Sequence, residues 1–418
     1  MYESANDTLA GLSVAAQAAL VAAARDGAPV RGLTHGFYKY PARFSPVFAR
    51  AAIETFTQPG DLVLDPHVGG GTSLVEALAA GREGVGVDIS TLAEFVTGVK
   101  CTVFSEAELA TLERWAQRVS AAVNIHKPST TIADYEQLGY YKHLKHPSRW
   151  RLRKAIEQSI TSATRLGSPR LEAFGRCVVL RTAQWALDGR SRITGIGDFR
   201  RVLHDSAQEM IAGAHQLRAT ASAKGEQRAT IFRRSAIGMD TEAGLREMRA
   251  PRLVLTSPPY PGVHVLYHRW QVDGRKEAPL PFMIANKLDG SGSSYYTMGD
   301  RKNSSLNTYF DSIKGSMSSV AALADDNTII VQMVAFSSPD AQLPRYLSAM
   351  RASGLKEMFL PVIENEGDGR LWRSVPGRRW YSAQRGETPG SKEVVLFHRR
   401  APAPDRRIAT TSQLRPSA

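Results

Sequence analysis

The stretch Asp61-Leu-Val-Leu-Asp65-Pro-His-Val-Gly-Gly-Gly-Thr72-Ser-Leu-Val-Glu-Ala-Leu-Ala-Ala80-Gly-Arg-Glu-Gly-Val-Gly-Val-Asp88 decides the fold. A short apolar run ends at Asp65, residues 66–71 interrupt it, and residues 73–80 resume with helical spacing. Gly81 ends that helix, and residues 84–88 read as a second buried strand closed by an acid. Strand, Gly-rich turn, helix and strand within thirty residues form a βαβ unit, which predicts a parallel sheet in an α/β fold. At Gly69, Gly70 and Gly71 the missing Cβ atoms let the chain turn sharply and let a ligand approach the N-terminus of the helix. Asp88 follows Asp65 at about the twenty-residue offset at which an acidic side chain takes ribose hydroxyls. The full dinucleotide fingerprint and the phosphate-loop lysine are missing, so a cofactor with a ribose but no phosphate ranks above NAD or ATP. Taken alone, the turn also fits a plain tight connection with Asp88 as a helix cap.

The 418 residues are 43% apolar and 8% aromatic, which excludes a mainly disordered chain and fits one large or two ordinary domains. No apolar run approaches the roughly eighteen residues of a membrane span. The Ala-rich stretch near residues 15–24 follows Glu3 and Asp7 rather than a basic segment, so it reads as an N-terminal helix ended near Gly27, not a secretory leader. Cys101 and Cys177 are too few for a disulfide framework or a thiolate zinc site and fit a reducing compartment. The expected location is cytoplasmic, nucleoid-associated when bound to DNA, and no metal is expected. With 53 Lys and Arg against 40 Asp and Glu the charge is +13, which favours a polyanionic partner.

Four segments follow from the patterning. Residues 1–101 hold the N-terminal helix and the Gly-rich unit. Residues 102–228 show helical periodicity without recognisable strands and read as a helical insertion. Residues 229–400 return to strands, at 229–233, 252–256, 328–334, 356–363 and 392–398, the last two suited to an antiparallel hairpin. Between 261 and 307 lies a polar loop too long for a routine connection. Residues 401–418 read as a disordered tail.

Thr256-Ser257-Pro258-Pro259-Tyr260 follows one of those strands. Two prolines lack N–H groups, hold the chain extended and expose carbonyls, and Tyr260 supplies a flat aromatic face. Such a site can grip a planar base with an amino group: Ser257 Oγ and the Pro258 carbonyl accept from N–H bonds while Tyr260 stacks. The bland alternative is a rigid Pro-Pro turn with a packing Tyr.

Residues 65–72 resemble the cofactor motif of S-adenosylmethionine-dependent amino-methyltransferases of DNA, and residues 256–260 resemble their catalytic motif in the serine-first form of cytosine-N4 enzymes. His35-Gly-Phe-Tyr-Lys-Tyr-Pro-Ala-Arg-Phe44 is similar to the motif that encloses the methionine end of the cofactor, in the unpermuted motif order. The resemblance covers roughly residues 35–90 and 230–400. It implies a Rossmann-like class I methyltransferase sheet with flanking helices and an inserted helical domain. It implies S-adenosyl-L-methionine held by Tyr40, Pro41, Phe44, Asp65, Pro66, His67, Gly69, Gly71, Thr72, Asp88, Ile89 and Ser235, with Ser257, Pro258, Pro259 and Tyr260 acting on the amine. His67 stands where the family carries an aromatic, and Ser235 where it carries an acid near the adenine; Asp240 is the candidate substitute. Neither cysteine follows a proline, which disfavours the thiolate chemistry of cytosine C5 methylation.

The function expected is methyl transfer to the N4 amine of a flipped cytosine in duplex DNA. The alternatives are adenine N6, an RNA amine, and a non-catalytic nucleic-acid-binding module. A cognate restriction endonuclease or defence-system proteins are the partners the resemblance adds. Residues 142–201 contain fourteen Lys and Arg against four Asp and Glu, so the insertion is expected to grip phosphates, with Arg149, Arg151, Arg153 and Lys154 as candidates beside Trp150. Arg301, in the long loop with Tyr296, and Arg378 and Arg379, near Arg370 and Arg373, are further candidates. A solvated basic face is the competing reading.

Overall fold

Near the N-terminus, α1 (Val14–Arg25) starts at Ser13, whose hydroxyl accepts the Ala16 N–H. Ser45 caps α2 (Pro46–Phe56) in the same way, with Pro46 at the first helical position where its missing N–H costs nothing. The quoted unit then forms β1 (Leu62–Asp65), α3 (Thr72–Ala79) and β2 (Glu83–Asp88). Next come α4 (Thr91–Lys100), α5 (Glu106–Ala122), α6 (Ala133–Gln137), α7 (Trp150–Thr164), α8 (Pro169–Leu187) and α9 (Ile196–Ala223). Ser105 and Glu108 close a reciprocal capping box on α5. The chain returns through β3 (Ala229–Arg233), α10 (Ala243–Arg246) and β4 (Leu253–Thr256) to β5 (Trp270–Val272), β6 (Lys276–Ala278) and α11 (Leu280–Ala285). It ends with α12 (Asn307–Leu323), β7 (Ile329–Ala335), α13 (Pro339–Ala352), β8 (Leu355–Met358), β9 (Leu371–Ser374) and β10 (Lys392–Arg400). The computed structural model describes residues 8–9, 11–39, 44–129, 132–190, 192–225, 227–261, 269–272, 276–290, 296, 298, 305–374 and 392–402.

The main sheet runs β3-β2-β1-β4-β7-β10-β8, with β9 also paired to β10. Strands β3, β2, β1, β4 and β7 are parallel, and β10 is antiparallel to β7. This is the α/β, Rossmann-like sheet with flanking helices that the Gly-rich unit predicts. Alternate residues of the central strands face opposite sides, as a pleated strand requires. Leu62, Leu64, Val254 and Ile330 pack with α12 and α13, whereas Val63, Leu253, Leu255 and Val331 pack with α1 and α2. A third apolar cluster joins α5, α7, α8 and α9 to Phe37, Tyr38 and the segment from Trp270 to Ala285.

Two strand expectations need correction. The strand expected over 356–363 stops at Met358, because Pro361 has no N–H and starts a 3-10 turn at residues 361–363. β8 does pair antiparallel with β10, but not as a plain hairpin: β9 intervenes and takes the other half of β10. The long segment after the catalytic motif is likewise not a uniform polar loop, since β5, β6 and α11 lie within it and Trp270 is 1% exposed.

The fit of α3 against β2 depends on a missing side chain. A Cβ at Gly86 would lie 2.9 Å from Val68 Cγ2 and 3.0 Å from Leu74 Cδ2. Gly86→Ala should therefore lower unfolding free energy by about 1–3 kcal/mol, as over-packing does. Chemical denaturation of the ligand-free protein measures it, and an unchanged midpoint would contradict this packing.

Candidate active site

Parallel strands gather their carboxyl ends at one edge of the sheet, and the sequence-predicted residues collect there. Asp65 ends β1, buried, with one carboxylate oxygen accepting the His67 N–H at 3.1 Å and the other the Ser73 hydroxyl. Burial pushes its pKa up to about 6. Asp88 ends β2 and bridges two turns: Oδ2 accepts the Gly69 N–H at 2.9 Å and Oδ1 the Ser90 N–H at 2.8 Å. Burial again pushes the pKa up to about 6. The Gly69 N–H is thus held by Asp88 instead of standing open to a ligand. Each carboxylate oxygen has a second lone pair, so Asp88 keeps acceptor capacity toward hydroxyl groups.

Gly69 and Gly71 have φ of 46° and 75°, left-handed values that favour glycine. Helix α4 fixes this turn from below. Thr97 Oγ1 donates to the Gly69 carbonyl at 3.0 Å and Lys100 Nζ to the Gly70 carbonyl at 2.7 Å. Lys100 is 1% exposed. Neither residue was foreseen; the signal is a polar pair three residues apart on a helix whose face is otherwise apolar.

The stretch beginning at His35 is tied to α3. His35 Nε2 and Arg50 Nε each lie 2.7 Å from a different oxygen of the buried Glu76. Gln184 on α8 holds both backbone groups of Lys39, accepting its N–H at 3.2 Å and donating to its carbonyl at 2.9 Å. Phe44 packs edge-on against Phe48, with centroids 5.9 Å apart. Tyr40 and Pro41 lie outside the described residues. Pro66 and Thr72 are buried within the turn and the first turn of α3, and Ile89 packs against the helical cluster. Ser235 is exposed, and its hydroxyl accepts the Ile237 N–H at 3.1 Å within the turn after β3. The neighbouring Arg234 N–H reaches the Asp88 carbonyl at 3.0 Å, which brings this turn beside Asp88. Asp240 lies one turn later, in the 3-10 segment Met239–Thr241.

On the other side of the site, β4 delivers Thr256 and Ser257 next to β1, its neighbour in the sheet. His67 spans the gap, with Nδ1 3.4 Å from Thr256 Oγ1 and Nε2 3.2 Å from Ser316 Oγ on α12. Burial pushes the imidazole down to about 3, so it is neutral at physiological pH and acts as a bridge between hydroxyls. Tyr309 donates to the Pro259 carbonyl at 2.9 Å. Among the described residues no hydrogen bond reaches the Pro258 carbonyl. Ser257 Oγ lies 3.1 Å from Tyr260 Oη, which donates to Glu393 Oε1 at 2.7 Å. Glu393 in turn faces Arg373 Nε at 3.5 Å. Glu393, Arg373 and Tyr309 lie far from residues 256–260 in sequence, so spacing gave no sign of them.

The proposed nucleic-acid contacts fare unevenly. Arg149 is 4% exposed, and a guanidinium buried to that degree cannot meet a phosphate without unfolding its surroundings. Arg153 pairs with Glu157 and lies over the Tyr141 ring, and Lys154 donates to the Ile125 carbonyl at 2.8 Å. Arg151 is exposed, 5.4 Å over the ring of Trp150, itself 42% exposed. Arg370 grips Glu357 through two nitrogens, Arg373 is 5% exposed, and the Tyr296 hydroxyl binds Asp289, so these three are structural instead of phosphate contacts. Arg301, Arg378 and Arg379 lie outside the described residues. Among the described residues no cluster of His, Cys, Asp and Glu could hold a metal, and no helix is long and apolar enough to cross a membrane.

Residues 25–94 match the family model for DNA methylase of the N6 and N4 type. The chain is 38% identical over 81 residues to the type II methyltransferase M.MvaI of Kocuria varians, covering 19% of this chain and 18% of that protein. It is 32% identical over 66 residues to the type II methyltransferase M.MjaII of Methanocaldococcus jannaschii, covering 16% and 12%. The matched part thus spans less than a fifth of these curated relatives. Among solved structures, the rRNA methyltransferase aviRa from Streptomyces viridochromogenes aligns with a TM-score of 0.34 at 11% identity, over 90% of this chain and 96% of that one.

The raised pKa of Asp88 has a measurable consequence. A carboxyl whose folded pKa exceeds its unfolded value stabilises the fold below the unfolded value, and loses that contribution as pH rises through the folded one. The stability of the wild type relative to Asp88→Asn should therefore fall between about pH 4 and pH 6 and stay level above. Denaturant titrations over that range test it; a difference independent of pH would refute the buried environment assigned to Asp88.

Proposed function

We propose that the protein is a DNA amino-methyltransferase, moving a methyl group from S-adenosyl-L-methionine to the N4 amine of a flipped cytosine in duplex DNA. The observation that carries this reading is the meeting of the Gly-rich turn of β1 with the Ser257–Tyr260 segment of the adjacent strand β4, bridged by His67. The match of residues 25–94 to DNA methylase supports it.

The donor supplies an electrophilic methyl on a sulfonium, whose C–S bond breaks with its electron pair remaining on sulfur. Asp88 suits the ribose hydroxyls, because it is a half-buried carboxylate with spare lone pairs at a strand end. The Gly-rich turn, clamped by Thr97 and Lys100, keeps the adjoining backbone in one conformation and reduces the ordering required on binding. Ser257 Oγ and the Pro258 carbonyl are the acceptors for the two N–H bonds of the target amine. Accepting those bonds draws the lone pair out of conjugation and aims it at the methyl, so catalysis rests on positioning and electrostatics. The cysteines support the choice of an amine over cytosine C5, since burial pushes both thiols up to about 12. Ser257, where a carboxylate would favour adenine by resemblance, favours cytosine.

Incubation with labelled S-adenosylmethionine and duplex DNA, followed by digestion to nucleosides, should yield N4-methylcytosine. N6-methyladenine would correct the base, label only in RNA would correct the substrate, and no transfer to either would overturn the reading. Tyr260→Ala should cut turnover at least about 100-fold with cofactor affinity little changed, whereas Asp88→Ala should weaken cofactor binding. Equal loss of cofactor binding in both, measured calorimetrically, would contradict these roles.

The partner is duplex DNA, read as a polyanion by exposed cations of the insertion. Arg151→Ala should weaken DNA binding and lower the slope of log affinity against log salt by about 0.9, the value for one lost phosphate contact. Arg149→Ala should instead lower stability and leave the slope unchanged. Fluorescence anisotropy over a salt series decides between them.

A further inference from the structure

Glu393 is a buried carboxylate that the roles above do not use. It is the second residue of β10, and because β10 runs antiparallel to β7, its N-terminal end reaches the edge where the parallel strands finish. There Glu393 pairs with Ala335, the last residue of β7, on one side and with Arg373 of β9 on the other. It is 6% exposed, and Arg373, 5% exposed, supplies the countercharge that a carboxylate so far from water requires. Such a pair is expensive to bury and is weak evidence of stabilisation by itself, so its location invites a functional account. One oxygen faces Arg373 and the other accepts from Tyr260. The Tyr260 oxygen in turn is 3.1 Å from Ser257 Oγ. Three oxygens therefore stand in an unbroken hydrogen-bonded line from the amine acceptor to a carboxylate.

We propose that Ser257, Tyr260 and Glu393 form a proton relay that carries away the proton an exocyclic amine must lose on methylation. The inference rests on the amino-methyltransferase reading. The amine nitrogen's lone pair forms the new N–C bond while the C–S electron pair leaves with sulfur, so the positive charge of the sulfonium reappears on nitrogen. One N–H proton then passes to Ser257 Oγ, the serine's own hydroxyl proton to Tyr260 Oη, and the tyrosine's to Glu393 Oε1. The charge lost by the donor ends as a neutral carboxylic acid, and neither Ser257 nor Tyr260 carries net charge before or after. Glu393 acts through Tyr260 and touches no substrate, so it is a positioning residue for the reaction that also receives the proton. The separations of 3.1 and 2.7 Å are those of direct hydrogen bonds, which proton transfer requires.

The test is Glu393→Gln, which retains an acceptor for the Tyr260 hydroxyl and removes the basic site. Single-turnover methyl transfer at saturating cofactor should slow by about 100-fold, the lower end of what proton transfer to a positioned group contributes. In the wild type the rate should rise with pH through one ionisation and level off, and this inflection should vanish in Glu393→Gln. Independently of activity, the Tyr260 Cζ resonance in 13C-tyrosine-labelled protein, assigned by its loss in Tyr260→Phe, should titrate in the wild type and not in Glu393→Gln. If Glu393→Gln fails to fold because Arg373 is left unpaired, the double variant Glu393→Gln/Arg373→Met removes both charges and is judged by the same three readouts. A rate equal to wild type, or a slower rate with the wild-type pH inflection retained, would overturn the relay while leaving the amino-methyltransferase reading intact. A missing Tyr260 titration in the wild type would overturn it as well. Failure of the wild type to methylate any nucleic acid would instead remove the reading and the relay together.

Discussion

The carboxylate of Asp88 is the constraint on which the site depends. It sits at the end of β2 and accepts one N–H from the turn leaving β1 and another from the N-cap of α4. Two loops that share no sequence neighbourhood are thereby held in one relative position. Helix α4, once fixed through Ser90, returns the constraint by pinning the Gly69 and Gly70 carbonyls with Thr97 and Lys100. The turn is held at its N–H groups by a strand and at its carbonyls by a helix, so its glycines give up the conformational freedom that would otherwise make them a poor binding surface. The cost appears in the raised pKa of Asp88 and of the adjacent Asp65, two carboxyls withdrawn from water where an apolar pair would be easier to bury. Such expense at the carboxyl edge of a parallel sheet, where α/β folds commonly bind ligands, is the physical ground for the cofactor role proposed for these two residues.

The other half of the site is assembled across greater distances. His67 reaches from the β1 turn to the end of β4 and to α12, joining the Gly-rich turn to the Ser257–Tyr260 segment through hydroxyls alone. An aromatic at that position would pack but could not make those bonds. The reversal of β10 then brings its N-terminal end, and with it Glu393, to the edge where every parallel strand ends. A sheet with parallel strands only would present a strand's first residues at the opposite edge. The antiparallel strand is thus what lets a carboxylate from the end of the chain meet Tyr260, 133 residues earlier in sequence.

What the sequence made legible follows the range of the interactions. The βαβ unit was readable because its signals are local: a Gly-rich turn between an apolar run and a helix, with an acid closing each strand. The strands β4 and β7 were readable because both of their faces are buried, so each is a largely apolar run, whereas the edge strand β3, half-buried over 229–232, was marked by its β-branched and aromatic residues Thr230, Ile231 and Phe232. By contrast, β5 and β6 have three residues each, and β9 is short and interrupted by polar side chains. Their existence depends on partners supplied by the fold. The site divides in the same way. Asp65, Ser257 and Tyr260 are adjacent to prolines that mark turns and Asp88 closes a Gly-rich strand, whereas Glu393, Arg373 and Tyr309 carry no local mark and gain significance only from what they face. Arg373 in particular looks like a cation available to phosphate until its register opposite Glu393 is known.

Partners supplied by the fold also change the meaning of the charge in the insertion. Fourteen basic residues against four acidic ones between 142 and 201 suggest an open cationic surface. The acids that answer them lie partly within that window and partly outside it, on the same helices or on others. Arg170 pairs with Glu108, Lys145 with Glu136, Arg181 with Glu209, and Arg201 with Asp205 as well as Asp198. Arg176 pairs with Glu172 and donates to the Ile284 carbonyl at 3.0 Å, joining α8 to α11. Much of the basic character therefore cements the helices to one another and to the segment that follows the catalytic motif. Exposed ion pairs contribute little stability each, yet they neutralise the field that a polyanion would sense. Arg151, beside the exposed ring of Trp150, is among the cations that still face solvent. Because Gln184 on α8 also holds the backbone of Lys39, the helices bearing these cations brace the stretch beginning at His35. The proposed duplex-facing surface and the stretch beginning at His35 are thus joined through the packing of α7 on α8.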